Sequence, residues 1–328
     1  RHMLASGSID GTIRLWNVTD PHHPALFGQP MYIHSYYPDA DIVTSLAISP
    51  DGRTLASGTY DTLQLWNLAD VAHPSLLKTL RIGHLGNALN GLAFGPNGDT
   101  LASDGQDGAI RLWNVTDPAH ASLDSMRIIP GPLWSVALSP NGRTLATGSF
   151  DDTIRLWNVA NPNDPSPMST LKGHVGNVNS VTFSPDGRTL ASAGADAKIR
   201  LWAVADPAHA VYVSTLTGHV GNVDSVAFSH DGGTLASTGA DGTIRLWNVK
   251  DPSHPSTIGS IVGAGGPVAF SPDDRTLAST GGGDVVQLWD LNVDDAVRRI
   301  CATTRNVFGP QQWAQYVSPQ LKYKPPCG

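Results

Sequence analysis

Three groups of residues in this 328-residue chain have the make-up of a hydrolytic triad. They are His84, Ser103 and Asp107; His174, Ser192 and Asp196; and His219, Ser237 and Asp241. A serine hydroxyl activated by a histidine, itself oriented by a carboxylate, is a nucleophile for acyl transfer. A catalytic constellation is assembled once, whereas these groups recur along the chain, so they read as architecture. Other chemistry is thin. There is no H-E-x-x-H, no C-x-x-C and no G-x-S-x-G. The glycines between Gly263 and Pro267 precede a strand pattern, not the helix that a dinucleotide loop requires. His22, His23, His73, His120, His209 and His254 sit in D-P-x-H-P-type connectors. Imidazoles can ligate metal, but equivalent loops of successive repeats lie well over a bond length apart, so these read as turn residues. Neither a metal nor a cofactor is expected.

The elements that must position these residues are repeats. The phrase LASGSIDGTIRLWNV at Leu4–Val18 ends on Trp16, and its copies end at Trp66, Trp113, Trp157, Trp202, Trp247 and Trp289. A period in the forties, built of short alternating strands and Gly/Asp turns, marks a radially repeating β-structure. Within one copy, Val178–Gly187 alternates apolar and small polar residues and reads as a first strand. Pro185 and Asp186-Gly187 supply the turn. RTLASAG is the second strand, Lys198–Trp202 the third and Tyr212–Leu216 the fourth. Such a sheet cannot bury both faces alone, and stacking copies in a ring does so.

These repeats, from Leu4 to about Leu291, closely resemble the WD40 family. The resemblance implies an all-β, seven-bladed propeller with four-stranded antiparallel blades. It also implies that the triad-like residues join a tryptophan in a hydrogen-bond network within each blade: His84–Ser103–Asp107–Trp113, His174–Ser192–Asp196–Trp202 and His219–Ser237–Asp241–Trp247. The remaining blades depart from it. The Trp157 blade keeps Thr147 and Asp151 without a Gly-His, and the Trp289 blade has Gly283 where the Asp should lie. The Trp66 blade keeps Ser57 and Asp61, with His34 as a candidate fourth member. Arg14, Arg111, Arg155, Arg200 and Arg245 recur in the third strands and are expected to lie on strand surfaces, covering apolar neighbours with their stems.

Only six first strands are found, near Ile42, Leu89, Leu133, Val178, Val223 and Gly266, so the first blade is expected to lack its inner strand. Either an upstream segment has been removed or the tail compensates. Residues 1–3 read as a candidate remnant of expression, 4–296 as the propeller, and 297–328 as the last outer strand plus an appendage with a short helix near 310–317. Trp313 and Tyr316 share one face of that helix and need apolar cover. Cys301 and Cys327 flank the appendage, as a disulfide or as two free thiols. The tail and connectors also resemble the C-terminal propellers of actinobacterial multidomain regulators, which carry a STAND-type NTPase, a helix-turn-helix or a kinase.

With 28 acidic and 21 basic residues and no long run of either sign, the chain lacks the basic footprint of a direct nucleic-acid binder. No apolar stretch reaches the ~20 residues of a membrane span, and a cytoplasmic protein is expected. The family's usual docking face carries the turns between second and third strands and the loops before first strands. Its turn positions here include Tyr60, Gln106 and Phe150, and its first-strand positions include Trp134, Asn177, Asn179, Asn222 and Asp224. With Tyr36 and Tyr37 on an inserted loop, the aromatics suggest an exposed crescent on blades two to four, rimmed by Asn and Asp on blades five and six. Alternatively, Trp134 folds inward to replace its blade's missing His. The expected function is a non-catalytic protein- or peptide-binding scaffold or sensor within a larger bacterial regulator. The alternatives are a propeller enzyme or small-molecule binder using the central channel, and an autoinhibitory clamp on an upstream NTPase.

Overall fold

The structure, a computed structural model, describes residues 2–33, 41–82, 88–263, 265–281 and 285–292. His34, Tyr36, Tyr37, His84, Gly283, Cys301, Cys327, Trp313 and Tyr316 lie outside the described residues, as do the expected outer strand at 297–302 and helix near 310–317.

The chain forms seven antiparallel sheets in sequence order. Blade 1 holds β1 (Met3–Gly7), β2 (Thr12–Asn17), β3 (Ala25–Leu26) and β4 (Met31–Tyr32). Blade 2 holds β5 (Ser45–Ile48), β6 (Thr54–Gly58), β7 (Thr62–Asn67) and β8 (Ser75–Arg81). Blade 3 holds β9 (Leu89–Phe94), β10 (Thr100–Gly105), β11 (Ala109–Asn114) and β12 (Ser122–Ile128). Blade 4 holds β13 (Leu133–Leu138), β14 (Thr144–Ser149), β15 (Thr153–Asn158) and β16 (Ser166–Lys172). Blade 5 holds β17 (Val178–Phe183), β18 (Thr189–Gly194), β19 (Lys198–Ala203) and β20 (Val211–Thr217). Blade 6 holds β21 (Val223–Phe228), β22 (Thr234–Gly239), β23 (Thr243–Asn248) and β24 (Ser256–Val262), and blade 7 holds β25 (Gly265–Phe270), β26 (Thr276–Thr280) and β27 (Val286–Asp290).

Blade 1 differs in two ways. Among the described residues no strand lies inside β1, and its outer position is shared by two short pieces, β3 pairing at Trp16–Asn17 and β4 at Thr12–Ile13. The ladder begins one residue before Leu4, because Met3 pairs with Asn17, and the His2 carbonyl accepts from the amide of Val18 at 3.0 Å.

The core lies between blades. In blades 2 to 7 the third-strand tryptophan packs on the preceding blade, as Trp113 does on Ala56, Leu63 and Leu65, and Trp202 on Ala146, Ile154 and Leu156. Each leucine buried in these layers contributes about 2 kcal/mol. The turn after each first strand is closed by its own side chains. Ser49 Oγ donates to Asp51 at 2.6 Å and accepts from the Thr54 amide at 2.9 Å, while Gly52 takes a φ of +69°, which needs glycine.

Candidate partner-binding face

The second strand places a hydroxyl opposite the third-strand tryptophan in every blade. The indole Nε1–H donates to Ser6 in blade 1, Ser57, Ser103, Thr147, Ser192, Ser237 and Ser279 in turn. Six of these bonds measure 2.9–3.0 Å, and that to Thr147 measures 3.4 Å.

In blades 5 and 6 the chain of bonds continues. Ser192 Oγ lies 2.8 Å from His174 Nε2, and His174 Nδ1 lies 2.9 Å from Asp196. The hydroxyl accepts from the indole, and the imidazole bridges it to the carboxylate, with Arg200 Nη1 also 2.7 Å from Nδ1. His219, Ser237 and Asp241 repeat the first two bonds at 2.8 and 3.1 Å. Burial lowers the affinity of both histidines for a second proton, and it outweighs the pull of Asp196 and Asp241. Burial also presses Asp241 upward, but the Val220 amide, Thr243 and His219 outweigh it and hold the carboxyl at about 2.

Two of the five third-strand arginines do not cover strand surfaces, while Arg14, Arg155 and Arg245 are half-buried. Arg111 and Arg200 are buried, and each closes on the turn aspartate four residues earlier: Arg111 on Asp107 at 2.5 Å, Arg200 on Asp196 at 2.7 Å. Arg155 does the same with Asp151 at 2.5 Å, although that blade has no histidine. The D-x-x-x-R spacing carries this signal, since period two puts both residues on one side of the hairpin. Blade 2 solves the same turn with hydroxyls, Thr59 reaching Asp61 at 3.1 Å and Thr62 at 2.9 Å. These sets bond within their own blades, and among the described residues no cluster of His, Cys, Asp and Glu could hold a metal ion.

The connector histidines close turns. His23, His73, His120, His209 and His254 each place Nδ1 2.8–2.9 Å from the aspartate three residues earlier. That bond holds each of these exposed carboxyls below its usual range.

Above the turn aspartates lies one rim, where the turns between second and third strands bond the loops before first strands. The amides of Phe150, Ala195 and Ala240 donate to the carbonyls of Pro132, Asn177 and Asn222. Phe150 is 55% exposed on blade 4, and Val175 and Val220, in the loops leading to β17 and β21, are each 76% exposed. Tyr60, Gln106 and Asn177 are half-buried, and Asn222 and Asp224 are exposed. At the start of three first strands a side chain turns sideways to the next blade. Thr44 donates to the Leu89 carbonyl at 2.6 Å, Asn90 to that of Leu133 at 2.6 Å and Asn179 to that of Val223 at 3.0 Å. Trp134 holds this position on blade 4. It is half-buried, and its indole nitrogen is out of solvent without an acceptor among the described residues. Phe150, Val175 and Val220 are thus exposed apolar residues on the rim of blades 4, 5 and 6, and the valines were missed because they sit in G-H-V-G-N loops that read as plain turns.

The model of the WD domain, G-beta repeat matches seven stretches of the chain: residues 1–17, 30–67, 74–114, 124–158, 165–203, 210–248 and 253–290. The chain belongs to the WD40 family. No curated protein matches it closely enough to count as a relative. WD40 propellers serve in general as scaffolds for protein interaction, and among the described residues no helix is long and apolar enough to cross a membrane.

Proposed function

We propose that this WD40 propeller is a non-catalytic module that captures a protein or peptide on the rim of blades 4–6. Phe150, Val175 and Val220 support this reading, because exposed apolar side chains on three adjacent blades would gain by being covered. The backbone beneath them is fixed by the turn-to-loop bonds, so little entropy is lost on docking. Lys198, Asn222 and Asp224 are exposed there too and supply a polar border. The likeness of tail and connectors to actinobacterial multidomain regulators supports a place as the sensing or scaffolding end of a larger protein.

The test is affinity capture with wild type against Phe150→Ala/Val175→Asp/Val220→Asp. The variant is expected to lose the specific prey while melting within a few degrees of wild type. Equal prey lists would remove this rim as the docking face. A Tyr60→Ala/Trp134→Ala variant tests the earlier crescent in the same assay.

A further inference from the structure

The turns that follow the first strands carry a charge pattern, and one of them breaks it. Blades 2 and 5 place an aspartate two residues before an arginine, Asp51 before Arg53 and Asp186 before Arg188. The Ser49 hydroxyl, then the amide and charge of Arg53, hold the Asp51 carboxyl below its usual range. Ser184 and Arg188 do the same for Asp186. Blade 7 keeps the pair as Asp273 and Arg275. Blade 3 has Asn97 in place of the acid and Asp99 in place of the base, and blade 6 has Asp231 with Gly233. Blade 4 keeps the base and loses the acid, with Asn141 before Arg143.

The exchange leaves the turn intact. Asn141 Oδ1 accepts from Ser139 Oγ at 2.8 Å and from the Arg143 amide at 2.9 Å, as Asp51 Oδ1 accepts from Ser49 at 2.6 Å and Arg53 at 3.0 Å. What disappears is the negative charge. Among the described residues the Arg143 guanidinium has neither a hydrogen bond nor an ion pair.

Arg143 lines a cleft of about 300 Å³ between blades 4 and 5. Phe183 and Val204 are buried and Met168 is half-buried, and together they give the cleft an apolar side. Asn158 lines it as well. Its Oδ1 is engaged by the Ala160 amide at 3.0 Å, which leaves its NH2 group to donate. No aspartate or glutamate is among the lining residues. The volume is at the small end of ligand pockets, which run from about 300 to 1,000 Å³.

A cation and an amide donor beside an apolar wall, with no acid to repel an anion, select a small anion with an apolar body. The planar guanidinium matches a carboxylate through two parallel bonds. A phosphate dianion would be only half neutralised by one arginine, in a chain whose formal net charge is −7. We propose that the cleft between blades 4 and 5 binds an organic carboxylate, with the carboxylate on Arg143 and Asn158 and the apolar body against Met168, Phe183 and Val204. The carboxylate belongs either to a free acid or to the C-terminal residue of a polypeptide. The cleft lies at the far ends of the first strands from the rim of blades 4–6, so it stands apart from the docking reading.

The test uses the 328-residue protein labelled with ¹³C on its methionine methyls. The chain has four methionines, Met3, Met31, Met126 and Met168, and Met168→Leu assigns the reporter. The free-acid probe is 4-phenylbutyrate, with 4-phenylbutyramide as its uncharged counterpart. The polypeptide probe is acetyl-Leu-Phe with a free C-terminus, with its C-terminal amide as counterpart. Saturable movement of the Met168 signal alone is expected for at least one acid, with a Kd of about 1 mM or tighter. Movement with the dipeptide only assigns the site to chain termini, and movement with 4-phenylbutyrate assigns it to free acids. Each amide should bind at least tenfold more weakly than its acid. Arg143→Gln should weaken binding at least tenfold, and so should Asn141→Asp, which restores the acid of the sister turns. Arg188→Gln, one blade on, should leave binding unchanged, and circular dichroism should show all three variants folded. A Met168 signal unmoved by both acids at about 10 mM overturns the proposal. So does equal binding of acid and amide, or binding that survives both Arg143→Gln and Asn141→Asp.

Discussion

At the scale of single residues, His174 and His219 make stability depend on pH. Their folded-state affinity for a proton is below that of an unfolded histidine, whose pKa is about 6.5. As pH falls, the unfolded chain takes up protons first. The stabilisation they provide is therefore complete above roughly pH 6.5 and drains away below it. The urea midpoint is expected to drop between pH 7.5 and 5.5, and His174→Gln/His219→Gln should flatten that slope. A second residue-scale feature lies between blades 3 and 4. Where neighbouring first strands carry Ser135, Ser180 and Ser225, blade 3 has Gly91, and a Cβ there would stand 2.8 Å from Asp104 Oδ1. Asp104 is fully buried without a side-chain partner among the described residues, and burial pushes its carboxyl up to about 7. Its folded pKa exceeds the unfolded value of about 3.9, so stability is lost as pH rises between the two. Asp104→Asn should stabilise the protein at pH 8 by about 4 kcal/mol and have little effect near pH 4. Gly91→Ser alone should destabilise, and Asp104→Ala should rescue it, since Ala193 occupies the equivalent place beside Ser180. Urea denaturation of the single and double variants measures the coupling.

At the scale of elements, the turns after the first strands link each blade to the next. Pro96, Pro140 and Pro185 touch the glycines of the following blades, with ring atoms 3.1–3.4 Å from a Cβ built at Gly142, Gly187 and Gly232. Blade 6 has His230 in place of proline and so regains an N–H. Asp274 of blade 7, at a φ of +58°, accepts from the amides of His230 at 2.7 Å and Asp231 at 2.9 Å. Asp274→Ala is expected to cost about 1–2 kcal/mol in thermal denaturation, and Asp274→Gly less, because glycine is at ease at that φ. Elements of this kind show how far the sequence could be read. The strands were legible because TLASG and TIRLW alternate with period two between Asp-Gly turns. The exchange of a proline contact for a carboxylate clamp was not, because it joins residues 44 positions apart in different blades. Nor were the buried arginines, whose length and charge suit a surface equally well. On the rim of the turns between second and third strands, which way a first-strand side chain turns depends on the neighbouring blade's carbonyl. That is tertiary information.

At the scale of the whole molecule, six joints hold a buried core among the described residues, and the joint of blades 1 and 7 holds a groove. Across that joint the His22–Asp290 pair at 3.4 Å is a side-chain link, and among the described residues no buried cluster there matches those between the inner blades. In a quasi-one-dimensional stack each unit is held by its neighbours, so blades 1 and 7 should open before the rest. Amide exchange is expected to be faster in β1, β2, β26 and β27 than in β17, β18 and β19. Uniform protection around the ring would contradict this.

A ring laced at six joints and, among the described residues, more loosely at the seventh behaves as a split washer. A slight tilt at any blade boundary is not absorbed by an opposing boundary, and the tilts of successive blades add up until they reach the gap. The distance from Leu4 to Leu288 therefore works as a gauge for the entire circumference, and a pair of probes there would register a ligand seated on blades 4–6, half a turn away.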